Sequence, residues 1–370
     1  MLAEKKPFAV KNFPLVTGRV LKEVRIGYET YGDLSPNRDN AILICHYFSG
    51  TSHAAGRYDP DDELLGYWDA VIGPGKSFDT DRFFILSSDT LCNINVKDPR
   101  VITTGPASTD PETGRPYGMA FPVVTIRDFV NLQRELLRSL GIRRLFAIAG
   151  PSMGGFQALE WAIAYPEMVD RAILVISAGQ LHPWVMVIPG DVAVDAIKLD
   201  PKWRGGNYYG HEGPRDGVVL ALKILTAIAR SQFWADETYG RAFADPGETP
   251  HHDIRSKFLI EQEVEKFARD RASLVDANSY IFLARATALF RAGFGYDSMQ
   301  EALGRVRAKI LLIPCRSDIF VPPYQSHLIF DLLRKHGVEA TSYELDSDGG
   351  HLAGVLEIGK AAEAIRAFLT

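Results

Sequence analysis

The sequence predicts an α/β protein with a mainly parallel sheet flanked by helices, and the pattern of its apolar runs carries this prediction. Five short apolar runs alternate with helical stretches, at residues 41–46, 83–87, 145–149, 172–176 and 310–314. Their apolarity is continuous rather than alternating, which is typical of strands that are buried on both faces. A sheet with two buried faces needs helices on both sides, so we expect helical layers above and below it.

The remaining elements are predicted from local signals. Residues 20–28 alternate in polarity and predict an antiparallel edge strand, and residues 342–345 predict one further strand. Thr125 is placed to cap a helix whose apolar residues recur at helical spacing and which ends at Gly141. Residues 353–369 predict a last helix with an apolar stripe that covers the sheet.

Residues 150–154 read Gly-Pro-Ser-Met-Gly and follow the apolar run 145–149 directly. A helix-forming stretch follows this motif and ends just before Pro166. A Gly-x-Ser-x-Gly motif between a buried strand and a helix is the nucleophile elbow of the α/β-hydrolase fold, in which glycines permit the sharp turn that exposes a serine hydroxyl. We therefore predict an α/β-hydrolase fold with Ser152 as its nucleophile.

The composition is that of a globular protein and excludes several classes of partner. Of the 370 residues, 46% are hydrophobic and 24% are charged, and the net charge is −5. With no basic tract to neutralise phosphates, we expect no nucleic-acid partner. No apolar run reaches membrane-spanning length and the first residues lack the apolar core of a secretory signal, so we expect no membrane partner. Three scattered cysteines fit free thiols in the cytoplasm.

One interval departs from the alternation of strands and helices. Between residues 177 and 309 no buried strand is predicted, and amphipathic stretches such as 218–229 and 258–267 predict helices. We therefore divide the chain into an α/β-hydrolase core, residues 1–180 and 305–370, and a helical lid, residues 181–304. The lid is inserted after the sixth strand, at the carboxyl edge of the sheet where open α/β sheets bind ligands.

A serine nucleophile needs a base, and the base needs an orienting acid. In the α/β-hydrolase fold the order along the chain is Ser, acid, His. Asp318 follows the strand predicted at 310–314, and His351 follows a glycine-rich loop before the final helix. We predict that Ser152, Asp318 and His351 form the catalytic triad. Asp346 and Asp348 are the alternative acids, which we assign to the turn.

The oxyanion formed by attack on a carbonyl needs two preorganised N–H donors. One is expected from the backbone of Met153, the residue after the nucleophile, and the other from the loop after the third strand. We assign the second to Phe48, with Tyr47 and Ser49 as alternatives. His46, at the strand end, is interpreted as a structural histidine rather than a second base.

No metal and no cofactor are predicted for the protein itself. His251, His252 and Asp253 are consecutive and lack the helical spacing of metal ligands. The glycines at 73–75 lack the Walker spacing of a phosphate loop. The aromatic residues at 233–234 are interpreted as packing residues.

The sequence resembles the homoserine O-acetyltransferase family of α/β-hydrolases. The matching stretches lie over most of the chain, at residues 50–53, 68–76, 79–84, 114–118, 121–128 and 152–161. The resemblance implies an acyl-enzyme at Ser152, with Asp318 and His351 as its partners. It also implies acetyl transfer from acetyl-CoA to homoserine by a ping-pong route, and homodimers whose lids pack together.

Two positions depart from the pattern of family members that acylate homoserine. Those members carry a lid arginine for the substrate carboxylate, where this chain has Leu222, and an aspartate for the substrate ammonium, where it has Leu352. Each lost charge-assisted bond is worth about 1.5–3 kcal/mol, so homoserine binding is expected to be much weaker. If the alignment with the family pattern is shifted by one residue, Lys223 takes the place of the lid arginine. Arg230 lies further along the same predicted helix.

We therefore expect a serine carboxylesterase that hydrolyses small esters, with Tyr47, Leu222 and Leu352 in its substrate pocket. The alternative is an O-acetyltransferase that moves acetyl from acetyl-CoA to homoserine or another small alcohol. A non-catalytic binding module is a third reading, which the intact triad disfavours.

Overall fold

The computed structural model describes residues 1–247 and 251–370 and contains an eight-stranded sheet. Its strands are β1 (Lys6–Pro14), β2 (Val20–Tyr31), β3 (Ala41–Cys45), β4 (Phe84–Ser88), β5 (Ala147–Pro151), β6 (Arg171–Val175), β7 (Lys309–Ile313) and β8 (Ala340–Ser342). The strand order is β1-β2-β4-β3-β5-β6-β7-β8. The pairs β1·β2 and β2·β4 are antiparallel and all other neighbours are parallel.

The five apolar runs form the central parallel strands, so the predicted fold class is confirmed. Alternate residues of these strands belong to two separate apolar clusters: Leu43 and Ile148 to one, Ile42 and Ile44 to the other. Helices α1 (Ile126–Ser139), α2 (Met153–Ala164) and α10 (Pro323–Lys335) pack in the first cluster. Helix α12 (Ala362–Leu369) packs in the second. Both faces of the sheet are therefore covered.

Three details of the sequence prediction were wrong. Strand β2 is antiparallel as predicted, but β1 pairs outside it and forms the edge. Strand β8 lies at Ala340–Ser342, so only Ser342 of the predicted run belongs to it. The last helix is broken into α11 (Ala353–Leu356), a 3₁₀ turn at Ile358–Ala361 and α12. Helix α1 begins after its Thr125 cap as predicted, and Gly141 follows its end at φ +69°.

Residues 176–308 add helices but no strand to the described part of the sheet. The α-helices of this insertion are α3 (Pro183–Val185), α4 (Ala193–Leu199), α5 (Arg215–Ala229), α6 (Gln232–Thr238), α7 (Leu259–Ala272), α8 (Ala277–Ala288) and α9 (Met299–Leu303). A π-helical segment, Met186–Val192, joins α3 to α4. Within the described residues no single helix is long and apolar enough to cross a membrane. Taken together, α5 and α6 reach the required length and apolarity, but the pair is bent by 99°.

The insertion leaves the sheet after β6 and returns to it at β7, which is the immediate neighbour of β6. Val175 and Ile313, the last residues of the two strands, are register partners. The carboxyl ends of β5, β6 and β7 therefore lie side by side at one edge of the sheet, and the insertion starts from that edge.

Candidate active site

Ser152 lies in a sharp turn between β5 and α2. Its backbone has φ 55° and ψ −118°, a conformation that non-glycine residues rarely adopt and that costs about 1–3 kcal/mol. The turn is held from both sides, because the Ser152 N–H donates to the Val175 carbonyl at 2.9 Å and the Ser177 hydroxyl donates to the Ser152 carbonyl at 3.1 Å. The hydroxyl of Ser152 is thus presented at the start of α2.

Two glycines of the motif are required by close packing. A Cβ on Gly150 would lie 2.6 Å from the Cys45 carbonyl oxygen, which is too close for two unbonded atoms. A Cβ on Gly154 would approach the same oxygen even more closely. The turn therefore packs directly against the end of β3, and any side chain at these positions would push Ser152 away from it.

The structure brings Ser152, Asp318 and His351 together. His351 Nε2 lies 2.7 Å from Ser152 Oγ, and His351 Nδ1 lies 2.7 Å from Asp318 Oδ2. Asp318 and His351 are buried, with exposed fractions of 3% and 6%. These distances are those of a nucleophile, a base and an orienting acid in one chain of hydrogen bonds.

The acid and the base are each held in place by their own loops. Asp318 Oδ1 accepts hydrogen bonds from the N–H groups of Phe320 at 2.8 Å and Val321 at 2.9 Å. The ring of Phe320 stacks on the His351 ring with centroids 4.5 Å apart. The Ser317 hydroxyl accepts from the Gly350 N–H at 3.0 Å and so joins the two loops. Little freedom remains for the imidazole to rotate.

The alternative acids lie elsewhere. Asp346 and Asp348 both pair with Arg316, the latter at 2.9 Å, and both carboxylates are exposed at the surface. They stabilise the loop that carries His351 rather than contacting its ring.

Phe48 and Met153, the two predicted oxyanion donors, both line the cavity that contains Ser152. His46 is fully buried, and burial lowers the pKa of its imidazole below the ordinary value. In its neutral form His46 Nδ1 donates to the Tyr47 carbonyl at 2.7 Å, and Nε2 accepts from the Thr90 N–H at 3.2 Å. His46 therefore braces the loop after β3, as expected of a structural histidine.

Three polar side chains that the sequence analysis did not single out hold the same loop. Asn93 Nδ2 donates to the Gly50 carbonyl at 3.0 Å, and Asn95 Nδ2 donates to the Ser49 carbonyl at 3.1 Å. Arg271 of α7 donates to the Ser49 carbonyl at 3.2 Å and to Asn95 Oδ1 at 2.7 Å. A helix of the insertion is thereby bonded to the loop that carries the Phe48 N–H.

A buried carboxylate anchors the far end of this loop. Glu29 of β2 accepts from the Tyr58 hydroxyl at 2.6 Å and the Ser52 hydroxyl at 3.2 Å, and it lies 3.0 Å from His53 Nδ1 and 3.1 Å from Lys5 Nζ. Burial alone would raise the pKa of Glu29, but the hydrogen bonds from His53 and Tyr58 and the charge of Lys5 outweigh it and lower that pKa to about 2.

The cavity at Ser152 is apolar. No charged side chain is among its described lining residues, which are Phe48, Ser152, Met153, Phe156, Leu181, Val185, Pro189, Gly190, Leu225, Tyr280, Ala284, Thr287, Ala288 and Phe320. The hydroxyls of Tyr280 and Thr287 donate to backbone carbonyls at 3.1 and 2.8 Å. The wall therefore offers an acyl group apolar surface.

The structure differs from the sequence prediction on the pocket residues. Tyr47 does not line this cavity, and its ring packs edge-on against Tyr67 and against the second apolar cluster. Leu222 is buried in the first apolar cluster, and Leu225, almost one helical turn further on, lines the cavity instead. Leu352 lines a separate neighbouring cavity. Leu222 and Leu225 point in similar directions from α5, so the two leucines differ mainly in their position along the helix axis.

The two basic residues considered near the pocket do not line the Ser152 cavity either. Lys223 lies 3.9 Å from Glu265 and lines a separate groove together with residues of α6 and α7. Arg230 lines the cavity that contains Leu352. Among the residues that the structure describes, no group of three or more His, Cys, Asp or Glu side chains is arranged to hold a metal ion.

Comparison with known proteins places this geometry in a family. Residues 102–357 match the family model of the α/β hydrolase fold. Homoserine O-acetyltransferase of Deferribacter desulfuricans is 40% identical over 361 residues, which cover 97% of this chain and 93% of the relative. The chain belongs to the homoserine O-acetyltransferase family. The resemblance noted in the sequence is thus confirmed. The prediction that this protein is an enzyme of the α/β-hydrolase superfamily is confirmed as well.

Two solved structures, one named a homoserine O-acetyltransferase and the other an esterase, superpose closely on this chain. The homoserine O-acetyltransferase of Bacillus anthracis is 42% identical, with a TM-score of 0.95 over 100% of this chain and 98% of its own. Esterase E22 is 43% identical, with a TM-score of 0.94 over 100% of both chains. The named curated relatives favour acyl transfer over the hydrolysis that we expected, whereas esterase E22 supports hydrolysis.

Proposed function

We propose that this protein is a serine carboxylesterase that hydrolyses small esters, acetyl esters among them. The observation that carries the proposal is the apolar cavity at Ser152, which has no charged side chain among its described lining residues. A zwitterionic acceptor such as homoserine would have to leave water without gaining an ion pair there, and an unpaired charge is costly to bury. Water needs no such partner.

The reaction follows from the contacts of Ser152. Its Oγ attacks the ester carbonyl carbon while His351 Nε2 takes the hydroxyl proton, and Asp318 stabilises the imidazolium through Nδ1. The backbone N–H groups of Phe48 and Met153 are our assigned donors to the oxyanion. The C–O bond to the alcohol then breaks, and His351 returns the proton to the leaving oxygen. Water attacks acyl-Ser152 by the same route and releases the acid.

Acetyl transfer from acetyl-CoA to homoserine or another small alcohol is the second candidate. It is supported by the names of the curated relatives, which align over 96–100% of this chain. Both candidates share acyl-Ser152. They differ in the acyl donor, which is an ester or acetyl-CoA, and in the nucleophile that then attacks the acyl group, which is water or an alcohol. We further propose that the helical insertion acts as a lid, that two copies associate through it, and that the protein is cytoplasmic.

The deciding experiment compares two reactions of the same preparation. We expect steady hydrolysis of p-nitrophenyl acetate and no release of CoA from acetyl-CoA that depends on homoserine. Ser152→Ala is expected to abolish hydrolysis, and Ser139→Ala, at the end of α1, to leave it unchanged. Homoserine-dependent CoA release with negligible ester hydrolysis would overturn the esterase proposal in favour of the transferase. Full activity of Ser152→Ala would overturn both.

A further inference from the structure

Phe320 contacts the catalytic base through a face that the hydrogen bonds of the triad do not use. His351 is bonded at both ring nitrogens, to Asp318 and to Ser152, each at 2.7 Å. Hydrogen bonds at these nitrogens lie at the edge of an imidazole and do not involve its two faces. The ring of Phe320 lies over one of these faces, with centroids 4.5 Å apart and ring planes inclined by 17°.

The position of Phe320 is fixed by the same carboxylate that orients His351. Its backbone N–H donates to Asp318 Oδ1 at 2.8 Å, and the N–H of Val321 donates to the same atom at 2.9 Å. Pro322 follows directly before α10 and restricts the backbone of the residue that precedes it. The ring of Phe320 also packs against the first apolar cluster. The two stacked rings are therefore held on a common support.

The charge of His351 changes during the reaction. The imidazole is neutral before the attack and becomes an imidazolium when it takes the proton of the Ser152 hydroxyl. The face of an aromatic ring is the negative part of its quadrupole, and it attracts a cation that lies within about 6 Å of the ring centre. At a distance of 4.5 Å, Phe320 therefore attracts the protonated base more strongly than the neutral base.

The surroundings of the two rings strengthen this attraction. His351 is buried, and Phe320 lines the cavity at Ser152, which has no charged side chain among its described lining residues. Little water competes for the imidazolium in such a site, and a cation over an aromatic face is stabilised about twice as strongly when it is desolvated. Asp318 acts at the edge of the imidazolium and Phe320 at its face, so the two contacts do not compete.

A second stack at the same cavity has the same geometry but carries no charge. Phe156, which also lines the cavity, stacks on Phe290 with centroids 4.5 Å apart and ring planes inclined by 19°. Neither ring can take up a proton, so this stack contributes packing alone. Phe290 is therefore a matched control for the effect of charge in the stack of Phe320 on His351.

We propose that Phe320 is a positioning residue that stabilises the protonated form of His351 through its ring face while acyl-Ser152 forms and breaks down. This inference rests on the triad mechanism of the proposed function and adds a fourth side chain to it. The proton still passes from Ser152 Oγ to His351 Nε2 and on to the leaving oxygen. Because the attraction is stronger in the charged transition state than in the resting enzyme, it accelerates the reaction and leaves substrate affinity unchanged.

The test changes the electron density of the ring and keeps its shape. Phe320 is replaced by phenylalanine that carries one, two or three fluorine atoms, which withdraw electrons from the ring face in steps. Release of p-nitrophenolate from p-nitrophenyl acetate, with enzyme in excess over the ester, then measures the acylation of Ser152. We expect each fluorine to lower the maximal rate about twofold, and Phe320→Leu, which has no aromatic face, to lower it about tenfold. The half-saturating concentration should change little, and the same fluorinated residues at Phe290 should leave the rate unchanged.

Steady hydrolysis is measured beside this single turnover, so that the two proposals fail separately. A graded fall in the acylation rate with fluorination of Phe320 supports the inference even if the parent enzyme shows no steady hydrolysis, in which case only the esterase proposal fails. Acylation rates that are independent of fluorination, or that fall equally at Phe320 and Phe290, overturn the inference and leave the esterase proposal standing. A folded parent enzyme that released no p-nitrophenolate would overturn both.

Discussion

Asp318→Asn is the substitution that tests the triad most sharply, because the contacts of Asp318 fix how an asparagine would sit. One oxygen of Asp318 accepts from the N–H groups of Phe320 and Val321 at 2.8 and 2.9 Å, and the other lies 2.7 Å from His351 Nδ1. An asparagine must keep its oxygen towards the two backbone donors, since an NH₂ group there would face two N–H groups. Its NH₂ therefore points at His351 Nδ1.

The imidazole then has to accept at Nδ1, so its proton moves to Nε2 and points at Ser152. In that tautomer His351 cannot take the serine proton. The expected loss in kcat is about 10⁴-fold, or about 5.5 kcal/mol of transition-state stabilisation, as found where a triad acid is replaced by its amide. The two backbone hydrogen bonds survive, so thermal stability should change little.

The assay is the kcat for p-nitrophenyl acetate hydrolysis, with the melting temperature of each variant measured beside it. Asp346→Asn and Asp348→Asn are matched controls, because each removes a carboxylate of the same loop region that pairs with Arg316. Both should retain kcat within about threefold. A value of kcat within tenfold of the parent in a folded Asp318→Asn, or a comparable loss in either control, would refute the assignment of the acid.

Two further predictions concern the loop after β3. Arg271→Met should lower kcat about 10- to 100-fold with little change in KM, because it removes one of the two hydrogen bonds to the Ser49 carbonyl and loosens the loop that carries the assigned Phe48 donor. Lys266→Met on the same helix is the control, and equal kinetics for the two variants would contradict the role of Arg271. Glu29 has its pKa lowered from 4.5 to about 2, so it contributes about 3 kcal/mol of stability that is present above pH 4.5 and is lost as the pH falls through 2. The difference in unfolding free energy between the parent and Glu29→Gln should therefore shrink from pH 7 to pH 3 in urea titrations, and a difference that is independent of pH would be inconsistent with this pKa.

The sequence was most informative for the strands that are buried on both faces of the sheet. The central strands were predicted to within one or two residues, because continuous apolar runs have no other common explanation in a chain of this composition. Strand β1 was missed because it alternates partly exposed Lys6 and Phe8 with exposed Pro7 and Ala9, so it lacks a continuous apolar run. Strand β8 was shifted because only one of its three residues is buried.

For the site, chain order and element type were sufficient to predict Ser152, Asp318 and His351 as neighbours. The lining of the pocket was not predictable in the same way, since Leu225 rather than Leu222 of α5 reaches the cavity and Tyr47 packs against Tyr67 instead. The contact between Arg271 and Asn95 joins residues 176 positions apart. No local sequence pattern predicts such a contact, because the two residues meet only after the insertion has packed on the core.

The direct pairing of β6 with β7 has a consequence for the evolution of this architecture. Because Val175 and Ile313 remain neighbours whatever lies between them, residues 176–308 can be lengthened, shortened or exchanged without shifting the register of any strand. Closing a long connection between two fixed ends costs only slightly more free energy as the connection grows. Selection can therefore change much of the wall around Ser152 in one segment, while the three reacting side chains, all carried by the core, are inherited unchanged.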